Sequence, residues 1–150
     1  MRLVIQRVSK AKVTVNQNTV GEIKKGFLIL VGIESGDTQL DADWLVDKVA
    51  GLRVFSDDHG KMNLGIKEIS GSVLAISQFT LHASTVKGNR PSFIRAASAQ
   101  VAKDLYDSFS SQLTAKHSIP VEKGIFGADM QVELINDGPV TILMDSKNRE

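Results

Sequence analysis

The stretch Val73-Leu74-Ala75-Ile76-Ser77-Gln78-Phe79-Thr80-Leu81 turns abruptly from core-forming to hydrogen-bonding side chains. Entered from Gly71, its apolar half reads as a buried strand. A rigid strand end fixes polar groups while the loop beyond it stays open to a ligand, so mixed folds often carry function there. A plainer reading stands beside it. Ser77, Gln78 and Thr80 at a strand exit can simply satisfy nearby backbone groups, and spacing alone leaves both readings open.

Upstream, residues 2–8 alternate as a strand, with Leu3 and Ile5 set against Arg2 and Gln6. A second strand, 11–15, presents Ala11, Val13 and Val15 on one face, and Asn16-Gln17-Asn18 turns the chain into a third over 20–23. The continuous apolar run Phe27-Leu28-Ile29-Leu30-Val31-Gly32-Ile33 lacks alternation, which predicts a central strand covered on both faces. Thr38 and Asp41 resemble a capping box opening a helix over 38–51, with Leu40, Trp44, Leu45, Val49 and Leu52 as its apolar face. Residues 53–55 form a short strand and 56–61 a polar turn. Asp57, Asp58 and His59 in that turn are poor metal ligands, because adjacent residues rarely converge on one ion. His82 and His117 stand isolated from any triad pattern.

Downstream, Val86-Lys87-Gly88-Asn89-Arg90-Pro91-Ser92-Phe93 is a polar loop longer than a tight hairpin needs. Val101, Leu105, Phe109 and Leu113 at i, i+4 spacing predict the longest helix, over 98–116. Near the C-terminus, Asn136-Asp137-Gly138-Pro139 lies between the alternating runs Met130-Val132-Leu134 and Val140-Ile142-Met144, and reads as a hairpin turn. The bond before Pro139 can be cis or trans, since the trans preference there is only about 0.5–1 kcal/mol. Hairpins segregated from two helices predict an α+β fold. The expected form is a curved, mostly antiparallel sheet or partial β-barrel with two main helices packed outside, in one domain spanning 1–150.

Composition narrows the function classes. The chain is 42% hydrophobic and 23% charged, as ordinary globular proteins are. It has no cysteine, which removes disulfides and thiolate metal sites. No run approaches a membrane span, and the N-terminus lacks a signal-peptide core, so a soluble cytoplasmic protein with no membrane partner is expected. A net charge of +1 announces no strong nucleic-acid binder, although the patches Lys10/Lys12, Lys24/Lys25 and Lys87/Arg90/Arg95 leave local RNA contact open beside a role as solvated surface.

Four blocks carry a resemblance. They are Ser77-Gln78-Phe79-Thr80-Leu81, Gly88-Asn89-Arg90-Pro91-Ser92-Phe93, Phe126-Gly127-Ala128-Asp129-Met130-Gln131-Val132 and Asn136-Asp137-Gly138-Pro139-Val140-Thr141. In this order and over essentially the whole length, the chain resembles the D-aminoacyl-tRNA deacylases. The resemblance implies a homodimeric hydrolase, without cofactor or metal, that cuts the ester joining a D-amino acid, or glycine mischarged on tRNA(Ala), to the terminal ribose. It implies that Gly138 and Pro139, joined by a cis bond, reach into the partner's pocket and that Arg7 supports their loop. It further implies that Phe126 and Met130 line the pocket, and that the Ser77, Gln78, Phe79, Thr80 wall supplies backbone N–H groups near the ester.

The residues suit that chemistry. An aminoacyl ester is already activated, and one backbone oxyanion donor is worth about 3–4 kcal/mol. The ribose 2′-hydroxyl beside the ester can assist. Thr80 as nucleophile is the rival mechanism, but it needs a base that the sequence does not name. A non-catalytic RNA-binding module of the same fold is the rival class. Two carbonyls from a rigid Gly-Pro unit would admit hydrogen but no side chain on one side of Cα. Such a site rejects L-residues and serves many D-residues.

Overall fold

The computed structural model describes residues 1–149. The chain runs β1 (Arg2–Val15), β2 (Asn18–Ile23), β3 (Gly26–Gly32), α1 (Gln39–Gly51), β4 (Arg53–Ser56), β5 (Met62–Gly65), β6 (Ser72–Ser77), a one-turn 3-10 helix (Phe79–His82), α2 (Ala99–His117), β7 (Val121–Lys123) and β8 (Gln131–Asp145). The main sheet has the order β2-β1-β3-β6-β7, with β8 also paired to β1. Pairings of β1 with β2, β3 and β8 are antiparallel, while β3–β6 and β6–β7 are parallel. The fold is α+β, a mixed sheet curled into a nearly closed barrel with two helices against its outside. Strand β2 closes over β6 and β7 at Gly21, where a Cβ would stand 3.0 Å from the Lys123 carbonyl oxygen and 3.1 Å from Leu74 Cδ1.

The central-strand expectation for 27–33 holds, and its cause is visible. Strand β3 lies between β1 and β6. Phe27, Ile29 and Val31 enter a core shared with Leu45, Val46 and Val49 of α1 and with Tyr106, Phe109 and Leu113 of α2. Leu28 faces the other way, into the barrel interior with Val8, Val13, Leu74 and Ile76. Both faces are apolar because both are covered. The Tyr106 hydroxyl is satisfied by the Ala75 carbonyl at 2.8 Å, tying α2 to β6, and burial pushes its pKa well above the usual tyrosine range.

The two strands expected over 2–8 and 11–15 are one strand of 14 residues. A bulge at Ser9 shifts the ladder between Val8 and Lys10. Leu3 and Ile5 face the outer core and Val8, by ordinary alternation, the inner one; the extra residue puts Ala11 and Val13 on the same inner face as Val8. The expected C-terminal hairpin is likewise absent. Its two runs form the single strand β8, and both halves pair with the same neighbour, from Arg2↔Asp145 to Gln6↔Thr141 and from Val8↔Asn136 to Thr14↔Gln131. Residues 137–140 therefore bulge out opposite Arg7 instead of reversing the chain. Alternation on both sides of a Gly-Pro fits a hairpin and a bulged strand equally well, and only the partner strand tells them apart.

Both helices form where expected, and the capping box is present, with Thr38 N–H donating to Asp41 Oδ2 at 2.8 Å. Leu40 leaves the expected apolar face: it is 76% exposed, because the buried set is Ala42, Leu45, Val46, Val49 and Ala50. Val101 is 44% exposed, in the first turn of α2 ahead of the buried Leu105. Trp44 is half-buried beneath Lys48 and Arg149 rather than fully in the core. The polar turn after β4 leads into β5, a short strand that the sequence reading leaves out.

Candidate active site

Strand β6 ends at Ser77, and Gln78 N–H still donates to the Val31 carbonyl at 2.8 Å, so the polar exit stays registered on the sheet. The 3-10 turn then folds across the end of β3. Gly32 makes this approach possible. A Cβ there would lie 2.9 Å from Leu81 Cβ and 3.1 Å from the Gln78 carbonyl oxygen. In the sequence Gly32 stands within the apolar run with no role of its own, although a glycine inside an apolar strand is the ordinary sign of close backbone approach.

A cleft of about 490 Å³ opens beside this exit. Ser77, Gln78 and Phe79 line one wall, and Phe126, Asp129 and Met130, from the turn between β7 and β8, line another. Phe126 leans on Tyr106 with ring centroids 6.0 Å apart. Met130 sits so close to Gly124 that a Cβ there would meet its sulfur at 2.5 Å. Ala96 and Ala97 complete the rim, and the sequence reading has no signal for either. Phe79 is 56% exposed and packs edge-on against Phe93, with centroids 5.0 Å apart.

Thr80 does not line the cleft. Its hydroxyl accepts a hydrogen bond from the Gln78 side-chain amide at 2.5 Å. An amide cannot act as the base that a threonine nucleophile requires. The main-chain N–H groups of Phe79 and Thr80 open the short helix and have no acceptor among the described residues. Free N–H groups at a helix start are ready donors to an oxyanion.

Gly138 and Pro139 lie elsewhere on the chain. They are exposed and do not line this cleft. Their peptide bond is cis. Arg7, nearly buried, holds the bulge from below. Its Nε donates to the Asp137 carbonyl at 2.9 Å and its Nη1 to the Val54 carbonyl at 2.5 Å. The Asp137 carboxylate stands 3.5 Å from Nε. Val140 N–H closes the bulge onto Asn136 Oδ1 at 3.2 Å. The structure thus gathers Ser77, Gln78, Phe79, Phe126 and Met130 in one place, and Arg7, Gly138 and Pro139 in another.

His82 is wholly buried under the 3-10 turn, its Nδ1 4.0 Å from Glu34 Oε1. Burial lowers its pKa, opposed by the Glu34 carboxylate, which raises it. Asp57 Oδ1 accepts the N–H groups of His59 and Lys61 at 2.9 and 3.0 Å, closing a turn. Among the described residues no three His, Cys, Asp or Glu side chains group to hold a metal ion, and no helix is long and apolar enough to cross a membrane.

A family model described as D-Tyr-tRNA(Tyr) deacylase matches residues 4–145. The chain is 61% identical over 150 residues to a D-aminoacyl-tRNA deacylase of Akkermansia muciniphila, and 60% identical over 150 residues to one of Phocaeicola vulgatus, covering 100% of each. Among solved structures it resembles the c-Myc DNA Unwinding Element Binding Protein, with 39% identity and a TM-score of 0.91 over 97% of this chain and 98% of that one. A probable eukaryotic D-amino acid tRNA deacylase, 17% identical, shares the fold with a TM-score of 0.82 over 95% of this chain and 97% of that one.

Proposed function

The chain belongs to the D-Tyr-tRNA(Tyr) deacylase family and is a hydrolase acting on the ester bond of D-aminoacyl-tRNA, and from that premise we propose how the cleft performs the reaction. The terminal ribose and its ester enter beside Phe79. Water attacks the carbonyl carbon, and the charge gathering on the carbonyl oxygen is met by the N–H groups of Phe79 and Thr80. The ester C–O bond breaks, the 3′-oxygen leaves as a hydroxyl, and the neighbouring 2′-hydroxyl relays the proton. The observation that carries this reading is the unpaired N–H of Phe79 at the cleft wall, with that of Thr80 next to it in the turn, beside a Thr80 hydroxyl bound to an amide rather than a base. Each such donor is typically worth about 3–4 kcal/mol of barrier.

Selection against L-residues is assigned to Gly138 and Pro139 of a second copy. Support comes from their position: exposed, held by Arg7, and apart from the cleft of their own chain. In a two-fold dimer each bulge would enter the partner's cleft, and its carbonyls would leave room for hydrogen but no side chain beside the substrate's Cα. Glycine, having no side chain, passes such a gate, so glycyl-tRNA(Ala) is a second substrate in this reading. A tRNA substrate puts the work in the cytoplasm.

The test is single-turnover hydrolysis of D- and L-tyrosyl-tRNA by purified protein, with sedimentation at the same concentration. Rapid loss of the D-ester from a dimer that spares the L-ester is expected. An active monomer removes the cross-subunit gate, and cleavage of a 2′-deoxy terminus at the normal rate removes the 2′-hydroxyl.

A further inference from the structure

The loop between the 3-10 turn and α2 is anchored at its base and free at its tip. Ser84 and Ser92 exchange both backbone hydrogen bonds, each 2.8 Å, and close residues 85–91 into a protruding loop. One end leaves the cleft wall directly after His82. The other returns through Phe93 against Phe79, and through Ala97, whose N–H donates to the Ile33 carbonyl at 3.1 Å. Arg95, near that base, is neutralised by an ion pair with Glu34.

At the tip stand Lys87 and Arg90, both exposed and without ion pair or hydrogen bond among the described residues. Five of the other eleven lysines are ion-paired, Lys12 to Glu133, Lys103 and Lys123 to Asp107, Lys116 to Asp47 and Lys147 to Asp37, whereas no carboxylate among the described residues is paired with either cation of the tip. The sequence around the loop is biased in the same sense. The chain has 17 acidic residues, yet none falls between Glu68 and Asp104, where Lys87, Arg90, Arg95 and Lys103 occur. A one-sided charge on a protrusion rooted in the cleft wall is the footprint expected for a phosphate backbone.

We infer that residues 84–92 form the RNA-docking arm of the site, with Lys87 and Arg90 at its tip taking backbone phosphates of the single-stranded 3′ end whose terminal ribose occupies the cleft. This rests on the reading of the cleft as the aminoacyl-ester site. Phosphate contacts position a strand without reading its bases, so the arm serves tRNAs of any sequence. Gly88 and Asn89 between the two cations give the tip no bulk that would block a strand.

The test compares the wild-type protein with Lys87→Gln/Arg90→Gln on two substrates, D-tyrosyl-tRNA and the phosphate-free D-tyrosyl-adenosine. Each neutralised single-strand phosphate contact changes the log–log salt slope by about 0.7, so the variant should lose about 1.4 of slope and roughly tenfold in kcat/KM on tRNA at ~0.1 M salt. The loss should lie in KM, with kcat and D-tyrosyl-adenosine cleavage unchanged. Equal kcat/KM for both proteins on tRNA overturns the arm. An equal loss on both substrates also overturns it, showing that the loop shapes the cleft instead. Failure of the wild-type protein on both substrates overturns the ester-site reading itself, and the arm with it.

Discussion

Arg7 Nη2 occupies the space that a side chain on Gly138 would need: a Cβ built there stands 2.8 Å from it and 3.0 Å from Val140 Cγ2. Gly138 also has φ +131°, outside the range where residues with a Cβ rest comfortably. Arginine and glycine are thus matched, one filling the volume the other vacates, and together they set the height of the bulge on β8.

Gly138→Ala should therefore displace the bulge or Arg7. A side chain in such a backbone region costs roughly 1–3 kcal/mol, so a lower melting temperature is expected. D-tyrosyl-tRNA hydrolysis should fall further than that loss of stability explains. Thermal melts and single-turnover rates on one preparation check both, and full activity in the alanine variant would show that the bulge height does not matter to the reaction.

Arg7→Lys retains the charge but not the fork. A single ammonium cannot reach both the Val54 and Asp137 carbonyls in the way the guanidinium does. One buried acceptor is left unpaired, at about 1–3 kcal/mol. The expected outcome is a folded protein with reduced melting temperature and slower hydrolysis of D-tyrosyl-tRNA. A lysine variant matching wild type in both measurements would remove Arg7 from the support of the bulge.

How much of this was legible beforehand depends on whether a signal was local. The covered strand at 27–33, the capping box at Thr38 and Asp41, and the polar exit at Ser77 follow from short-range patterns, and the structure contains all three. The long strands were not legible as such. The bulge at Ser9 interrupts alternation in β1, and the excursion opposite Arg7 copies a hairpin in β8. Which strand pairs with which is a long-range fact, here bringing Arg2 against Asp145. The same limit applies to the cleft. Phe126 and Met130 are named only by the resemblance, and Ala96 and Ala97 shape the site through contacts that no local pattern announces, while Gly32 carries the one local sign of close approach.

Thr80→Ala tests the chemistry. The hydroxyl is bound to the Gln78 amide and the backbone N–H survives the substitution, so hydrolysis should stay within about tenfold, ~1.4 kcal/mol of barrier. Losing a true nucleophile costs orders of magnitude more. A thousandfold drop in single-turnover rate, with the melting temperature intact, would make Thr80 the nucleophile and demote the backbone donors.

His82 gives the protein a pH dependence that can be worked out in sign. Burial lowers its folded-state pKa, and the opposing effect of Glu34, 4.0 Å from Nδ1, does not overcome it. The unfolded chain keeps an ordinary histidine value of about 6.5. Above that value both states hold the ring neutral and it contributes nothing to the pH slope. Below it the unfolded state takes up a proton that the folded state refuses, so stability falls with pH until the lower folded pKa is reached. The melting temperature of the wild-type protein should therefore drop more between pH 7 and pH 5 than that of His82→Gln, which has no ring to protonate. Carboxylates with lowered pKa values, such as Asp107 and Asp145, act mainly at still lower pH and are common to both proteins. An NMR titration gives the direct check, since the ring signals of His82 should have a midpoint below the ordinary value. A midpoint above it, or parallel melting curves across the two pH values, would show that the ring under the 3-10 turn is reached by water and that the wall of the cleft opens more readily than its packing indicates.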